Sequence, residues 1–319
     1  MNMKLVSGAL AAAMAVSAPA MAEELTLRAG VFVPPHTTYG APFQMYADHL
    51  NEIGEGVLQI RVVGGPEAVP ASELATAVSN GVLDMAALPP SYYKGQMVEA
   101  DAQSLTPLSV TEQRETGAYA ALDEIARERM GVTYVTTYGD GVPFHIFLSE
   151  NIESLEDLDG MRLRGQTTYN LIFDELGVNN TPIPAPEIFT ALERKTVDGY
   201  GWALWGIGDM GWMDMTTVRV DPGFYNVIIN VLMNEETYAS LTEEQQAVVD
   251  ETTAWFEEMM VEWSAEKTEA ELAAQEAAGV VSFDAGPELR ETATAIYWDD
   301  LESLSPEVER LRPLLAPES

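Results

Sequence analysis

The sequence predicts an α/β protein of two lobes, each a mostly parallel sheet flanked by helices, with one long helix lying across both. Three observations predict it. The chain is 319 residues long, enough for two units of the usual ~100–200 residues. Residues 25–88 alternate strand, helix, strand, helix, strand, the order that builds a parallel sheet with helices on its faces. From Thr242 to Gly279 nothing breaks the helical pattern; at ~1.5 Å per residue that is a rod on the order of 55 Å, longer than one lobe.

The first residues read as a leader. Lys4 is the only charge before Glu23, an apolar run spans Ala9 to Val16, and Ala20-Met21-Ala22 gives a small-x-small ending. This is the pattern of a secretory signal peptide cleaved after Ala22, too short for the ~20 apolar residues of a membrane span. The mature chain is expected in the periplasm.

The elements follow in order. Leu25 to Val33 alternate and then turn apolar, a strand closed by Pro34-Pro35. Tyr39 to Ile53 carry apolar residues at helical spacing up to Gly54. Val57 to Val63 form a second strand, Ser72 to Asn80 a helix ended by Gly81, and Val82 to Leu88 a third strand broken by Pro89-Pro90. In such sheets ligands sit beyond the carboxyl ends of the strands, here near Phe32, Gly64 to Pro70, and Pro89 to Tyr93. Thr111 to Met130 read as one helix and Val132 to Tyr138 as a strand. The loop Gly139-Asp140-Gly141-Val142-Pro143 is a first crossing between lobes. Short strands at Phe144 to Leu148 and Met161 to Arg164 and a helix from Ala185 to Lys195 follow, and Val227 to Met233 are the return crossing. Thr242-Glu243-Glu244-Gln245 is a capping box that starts the long helix. Lobe I is thus 23–142 with 227–255, and lobe II 143–226 with 256–319.

Composition narrows the function. Sixteen basic side chains stand against 51 acidic ones, a net charge of −35, which argues against nucleic acid and anionic lipid as partners. The absence of cysteine excludes disulfide frameworks, Cys-ligated zinc, iron–sulfur clusters and thiol nucleophiles. Histidine occurs only at positions 36, 49 and 145. No nucleophile elbow, metalloprotease helix or phosphate loop is present. With 51 carboxylates no acid pair can be singled out for hydrolysis. The chain therefore reads as a binder rather than an enzyme, with no cofactor and no metal. Glu67 and Asp209 could supply oxygen ligands to a cation, but nothing in the pattern assigns one.

The scarce cations stand out. Arg162 and Arg164 flank Leu163 on a short strand and are read as pointing to opposite faces, one to solvent and the other to the cleft. A guanidinium matches a carboxylate with a planar fork, although a salt bridge to Asp157 or Asp159 uses the same group. Tyr200, Trp202, Trp205 and Trp212 are interleaved with five glycines, a turned loop suited to a pocket wall, to interlobe packing or to a cage for a quaternary ammonium group. His145 follows the crossing among Phe144, Ile146 and Phe147, a setting of core as readily as of ligand contact.

Three segments resemble the solute-binding proteins of TRAP (tripartite ATP-independent periplasmic) transporters. They are Gly65-Pro66-Glu67 through Gly81-Val82-Leu83-Asp84-Met85, the run from Leu155-Glu156-Asp157-Leu158-Asp159-Gly160 to Arg164, and Pro182 to Asp198-Gly199. The resemblance implies a two-lobed periplasmic binding protein fold that closes on a small organic anion and hands it to membrane carrier subunits, working as a monomer. The family's carboxylate-binding arginine falls on Arg164. Trp202 stands where many members carry asparagine, and Pro143-Phe144-His145 where a second arginine often follows the crossing. Both departures favour a small monocarboxylate, such as a 2-oxo, 2-hydroxy or aromatic acid. The expected site is Arg164 with Trp202 and Trp205 as an apolar wall, Tyr92, Glu67 and Phe32 from lobe I, and Gln166, Tyr169 and His145 from lobe II. A betaine held by the tryptophans and a secreted carboxylate-pair hydrolase are the alternatives.

Overall fold

The computed structural model describes residues 24–317; the leader read at 1–22 lies outside them. The strands are β1 (Leu25–Val31), β2 (Leu58–Gly64), β3 (Met85–Leu88), β4 (Val132–Tyr138), β5 (Phe144–Leu148), β6 (Arg162–Arg164), β7 (Asn179–Asn180), β8 (Gly199–Ala203), β9 (Val218–Asp221), β10 (Ile229–Asn234) and β11 (Val281–Asp284). The α-helices are α1 (Ala41–Ile53), α2 (Leu74–Ser79), α3 (Val110–Glu115), α4 (Ala118–Met130), α5 (Asn170–Glu175), α6 (Ile188–Glu193), α7 (Glu235–Ser240), α8 (Glu243–Ala277), α9 (Glu288–Leu304) and α10 (Pro306–Leu315).

Two mixed sheets result, ordered β2-β1-β3-β10-β4 and β11-β9-β5-β8-β6-β7. The expected parallel core is present as β2, β1 and β3. It is interrupted by β10, which returns from the other lobe and inserts antiparallel between β3 and β4. In the second sheet β5 runs antiparallel to β8 and β9, because it too enters by a crossing rather than by a helix-covered right-handed turn. The predicted helix 111–130 is two helices. Gly117 takes the left-handed backbone (φ 81°) between α3 and α4, a conformation that costs glycine nothing.

The crossings 139–143 and 222–228 lie side by side. Phe144 N donates to Tyr225 O (2.7 Å), Phe224 N to Phe144 O (3.0 Å) and Val227 N to Val142 O (2.8 Å). They form a paired ribbon between the lobes.

The long helix α8 is the third connection. Its capping box is formed, with Gln245 N donating to Thr242 Oγ1 (3.2 Å) and Thr242 N to Gln245 Oε1 (3.0 Å). Its first half packs on α1, where Phe256 meets Tyr46 edge-on at 5.4 Å and Trp255 stacks on His49 at 3.8 Å. Phe256 is fully buried, a contribution of about 1.5–3 kcal/mol. Its second half serves the other lobe. There Trp263 packs edge-on against Trp205 at 5.6 Å, and Gln275 Nε2 donates to Leu204 O (2.8 Å).

The C-terminal elements meet both sheets' surroundings. β11 pairs with β9 in the second sheet, and α9 packs on α5 as well as on the 3₁₀ segment Val98–Leu105, which α10 also contacts together with α4. Buried acids of that segment draw them there: Asp101 accepts from Tyr297 OH (2.7 Å), and Glu99 is bonded by Ser305 Oγ and by Arg129 Nη2 at 2.7 Å. A buried carboxylate must be paired, and its partners are set far along the chain. Among the described residues no helix is long and apolar enough to cross a membrane.

Candidate functional site

Positions two apart on a strand share a face, so Arg162 and Arg164 differ in depth rather than in side. Arg162 lies at the surface and grips Asp198 through Nη2 (2.6 Å) and Nε (3.1 Å). Arg164 sits in register with Tyr200 of β8 and is 1% exposed. Its Nε donates to Ile183 O (2.9 Å) and its Nη1 to Gly201 O (3.3 Å). Among the described residues no carboxylate pairs with it. Burial holds its pKa below the ordinary arginine value, partly offset by Tyr169 and Tyr92, yet a guanidinium remains charged in a protein. A buried charge without a counter-ion costs several kcal/mol, a cost that an incoming anion relieves.

Arg164 faces a cavity of about 70 Å³ between the lobes. Lobe I supplies Phe32 beyond β1 and Pro89, Ser91 and Tyr92 beyond β3; lobe II supplies Gln166, Thr168 and Tyr169 beyond β6 and Trp202 on β8. The carboxyl ends of parallel strands thus meet across the cleft, as the topology requires. Phe32 and Tyr92 lie 6.0 Å apart by ring centres. Trp202 stands against the guanidinium, 5.5 Å from its carbon to the ring centre. Its indole is held by a bond from Nε1 to Trp205 O (3.1 Å) and by edge-on packing with Trp212 at 5.0 Å.

Tyr169 is fixed from behind. Its hydroxyl donates to His145 O (3.1 Å), and Phe144 and Phe224 meet its ring edge-on at 5.8 and 5.7 Å. Gly201 makes this possible, since a Cβ there would fall 2.4 Å from Tyr169 Cε1. Burial raises the Tyr169 pKa well above the ordinary phenol value, against the opposing charge of Arg164; the group is a neutral donor.

Of the expected site residues, Arg164, Trp202, Tyr92, Phe32, Gln166 and Tyr169 are brought together around this cavity. Three are not. Trp205 is fully buried between lobes, stacked on Tyr39 at 5.9 Å with Nε1 donating to Thr268 Oγ1 (3.0 Å); packing took this ring. Glu67 folds back on its own turn, where Oε1 accepts from Gly65 N (2.7 Å), and that bond lowers its pKa. His145 is buried in β5, its Nδ1 bonded to Val220 O (2.9 Å) and 3.2 Å from Asp221 Oδ1.

Tyr39, Ser91, Phe144, Thr168 and Val227 also line the cavity and were missed. Their signal was position: each follows a strand end or a crossing, where cleft residues belong. A larger groove of about 590 Å³ runs between α4 and α8. Its arginines are not free to hold an anion, because Arg114 and Arg127 are already paired with Glu257 (2.6 Å) and Asp123 (2.8 Å).

Comparison with known proteins agrees with this architecture. Residues 29–298 match the family model of the bacterial extracellular solute-binding proteins, family 7 (DctP). The monocarboxylate 2-oxoacid-binding periplasmic protein of Nostoc sp. is 23% identical over 65% of this chain, a match that spans 59% of that protein's length. Among solved structures, a TRAP periplasmic solute-binding protein of Desulfovibrio desulfuricans with bound sn-glycerol-3-phosphate superposes with a TM-score of 0.82 at 18% identity, covering 92% of this chain and 98% of that one. The Bordetella pertussis receptor DctP7, which binds pyroglutamic acid, gives 0.78 at 16% identity, covering 91% and 99%. With a family model matched over nearly the whole described length, and a fold shared with the solved structures named above, the chain belongs to the bacterial extracellular solute-binding proteins, family 7.

Proposed function

We propose that this protein captures a small organic monocarboxylate outside the cytoplasm and delivers it to the membrane subunits of a TRAP transporter, without catalysing a reaction. One observation carries the reading: Arg164 is buried against an aromatic cavity with, among the described residues, two carbonyls for hydrogen-bond partners and no carboxylate. The carboxylate of the ligand completes its coordination, and Trp202, Tyr169 and Phe32 enclose the remainder. The relatives named above bind a 2-oxoacid, pyroglutamate and a phosphate ester, all acids. The modest cavity favours small 2-oxo, 2-hydroxy or aromatic acids over dicarboxylates. Residues 1–22 serve as the export signal.

The ammonium-cage alternative meets a cation already standing over the Trp202 ring, which repels a second one. A carboxylate-pair hydrolase has no Asp or Glu in this cavity wall. The test is a thermal-shift screen of the mature protein against small carboxylic acids, with choline-like amines as controls. Stabilisation by monocarboxylates is the expected result; stabilisation by amines alone, or turnover of an ester, overturns the proposal.

A further inference from the structure

We infer that Asp209 and the amino-terminal end of α1 form a latch that holds the two lobes together over the cavity. The latch deepens the binding reading by adding control of closure at the same site. Asp209 Oδ2 accepts a hydrogen bond from Thr38 N at 2.8 Å. Thr38 lies in the loop after β1 and Asp209 in the turn after β8, so the bond joins the first sheet's lobe to the second's.

Helix α1 lacks a cap of its own. Its N-cap is Gly40, no side chain bonds its first amides, and its first turn carries no acid. Gly40 N and Ala41 N both donate to Thr37 O (3.0 and 2.8 Å) and Pro42 has no N–H, so what this end of a 13-residue helix offers an acid is the free Thr38 N–H just before it and the partial positive charge of a helix start. Asp209 brings a carboxylate to this end from across the cleft, and a charged acceptor on a backbone N–H makes one of the stronger hydrogen bonds.

The surroundings make the contact a closing device rather than a chance bond. Tyr39, next to Thr38, stacks on Trp205 of the opposite lobe and also lines the cavity. Gly206, at φ 87°, lies at the centre of the turn: a Cβ there would sit 3.6–3.7 Å from Tyr39, Asp209 Oδ2 and Trp202 Nε1. One turn thus carries both the anchor of the Trp202 wall, through Trp205 O, and the carboxylate that reaches α1. When the lobes part, Thr38 loses its acceptor and Tyr39 its stacking partner in the same movement.

The chain has no cysteine, so Glu55→Cys and Glu193→Cys place one spin label on each lobe at exposed positions. Distance distributions are recorded on the full mature chain without added acid, for the labelled parent and with Asp209→Asn, Asp209→Ala or Asp214→Asn added. Asp214 is an exposed acid farther along the same loop. Both Asp209 variants are expected to lower the ratio of short to long distances about five-fold, and Asp214→Asn to leave it unchanged. The latch is overturned if the Asp209 variants keep the parent distribution, if Asp214→Asn shifts it equally, or if the parent shows only the long distance. Acid binding by the same proteins is read separately, so a failure of the anion site leaves the distances interpretable.

Discussion

The guanidinium carbon of Arg164 lies 5.5 Å from the centre of the Trp202 ring, and Arg164 Nη1 bonds the carbonyl of Gly201, the residue before that tryptophan. The proposed anion clamp and its apolar wall are thus one unit, built on adjacent strands β6 and β8. The strands fix the clamp's position, and Trp205 O and Trp212 fix the wall. A site preorganised in this way loses little freedom when a ligand enters.

Trp202→Ala should enlarge the cavity and remove the ring that shields the guanidinium. Affinity for small monocarboxylates is expected to fall about ten-fold or more, the scale of a lost aromatic anchor, while bulkier acids lose less. Calorimetric titration with a short and a bulky acid checks this by comparing the two ratios.

Gly201→Ala should act through Tyr169. The new Cβ would meet the Tyr169 ring at 2.4 Å, so the ring must move into the cavity or the strand must shift. A destabilisation of about 1–3 kcal/mol is expected, with acid binding reduced in the same variant. Urea unfolding and titration together test it; unchanged binding would place the ring's movement elsewhere.

Much of this site was legible from the chain. The scarcity of cations singled out the arginine pair, and strand-end positions marked Phe32 and Tyr92. What sequence could not separate was Trp202 from Trp205, because both sit in one glycine-rich stretch. Only the turn through Gly206 decides which ring meets the cavity and which is spent on Tyr39 and α8. The fold was readable wherever contacts are local, as in β1 to β3 and the capping box of α8. It was not readable where pairing is distant. β10 enters antiparallel between β3 and β4 because of a crossing, and α9 and α10 are bonded through Tyr297 and Ser305 to Asp101 and Glu99, roughly two hundred residues away in sequence.

Asp221 should give the fold a dependence on acid pH. Burial pushes its pKa up, but hydrogen bonds from His145, Arg219 and Ser282 outweigh this and hold it well below the usual carboxylate range. A carboxyl depressed in the folded state stabilises above its unfolded pKa of about 3.9 and loses that contribution as pH falls toward the folded value. Stability should therefore drop as pH falls below about 4, and less steeply in Asp221→Asn. Urea midpoints between pH 2 and 6 for both proteins check the slope.

Thr242→Ala should remove one half of the capping box of α8. A loss of about 0.5–2 kcal/mol is expected, with little change in acid affinity because the cap is remote from the cavity. Thermal unfolding alongside titration separates the two effects.

The most direct measurement is acid binding by Arg164→Ala beside the parent protein, with circular dichroism to show that the fold is kept. The parent is expected to bind small monocarboxylates, and the variant to bind them at least a hundred-fold more weakly, as losing one partner of a buried ion pair costs about 3–5 kcal/mol. Parent-like affinity in a folded Arg164→Ala protein would contradict the account.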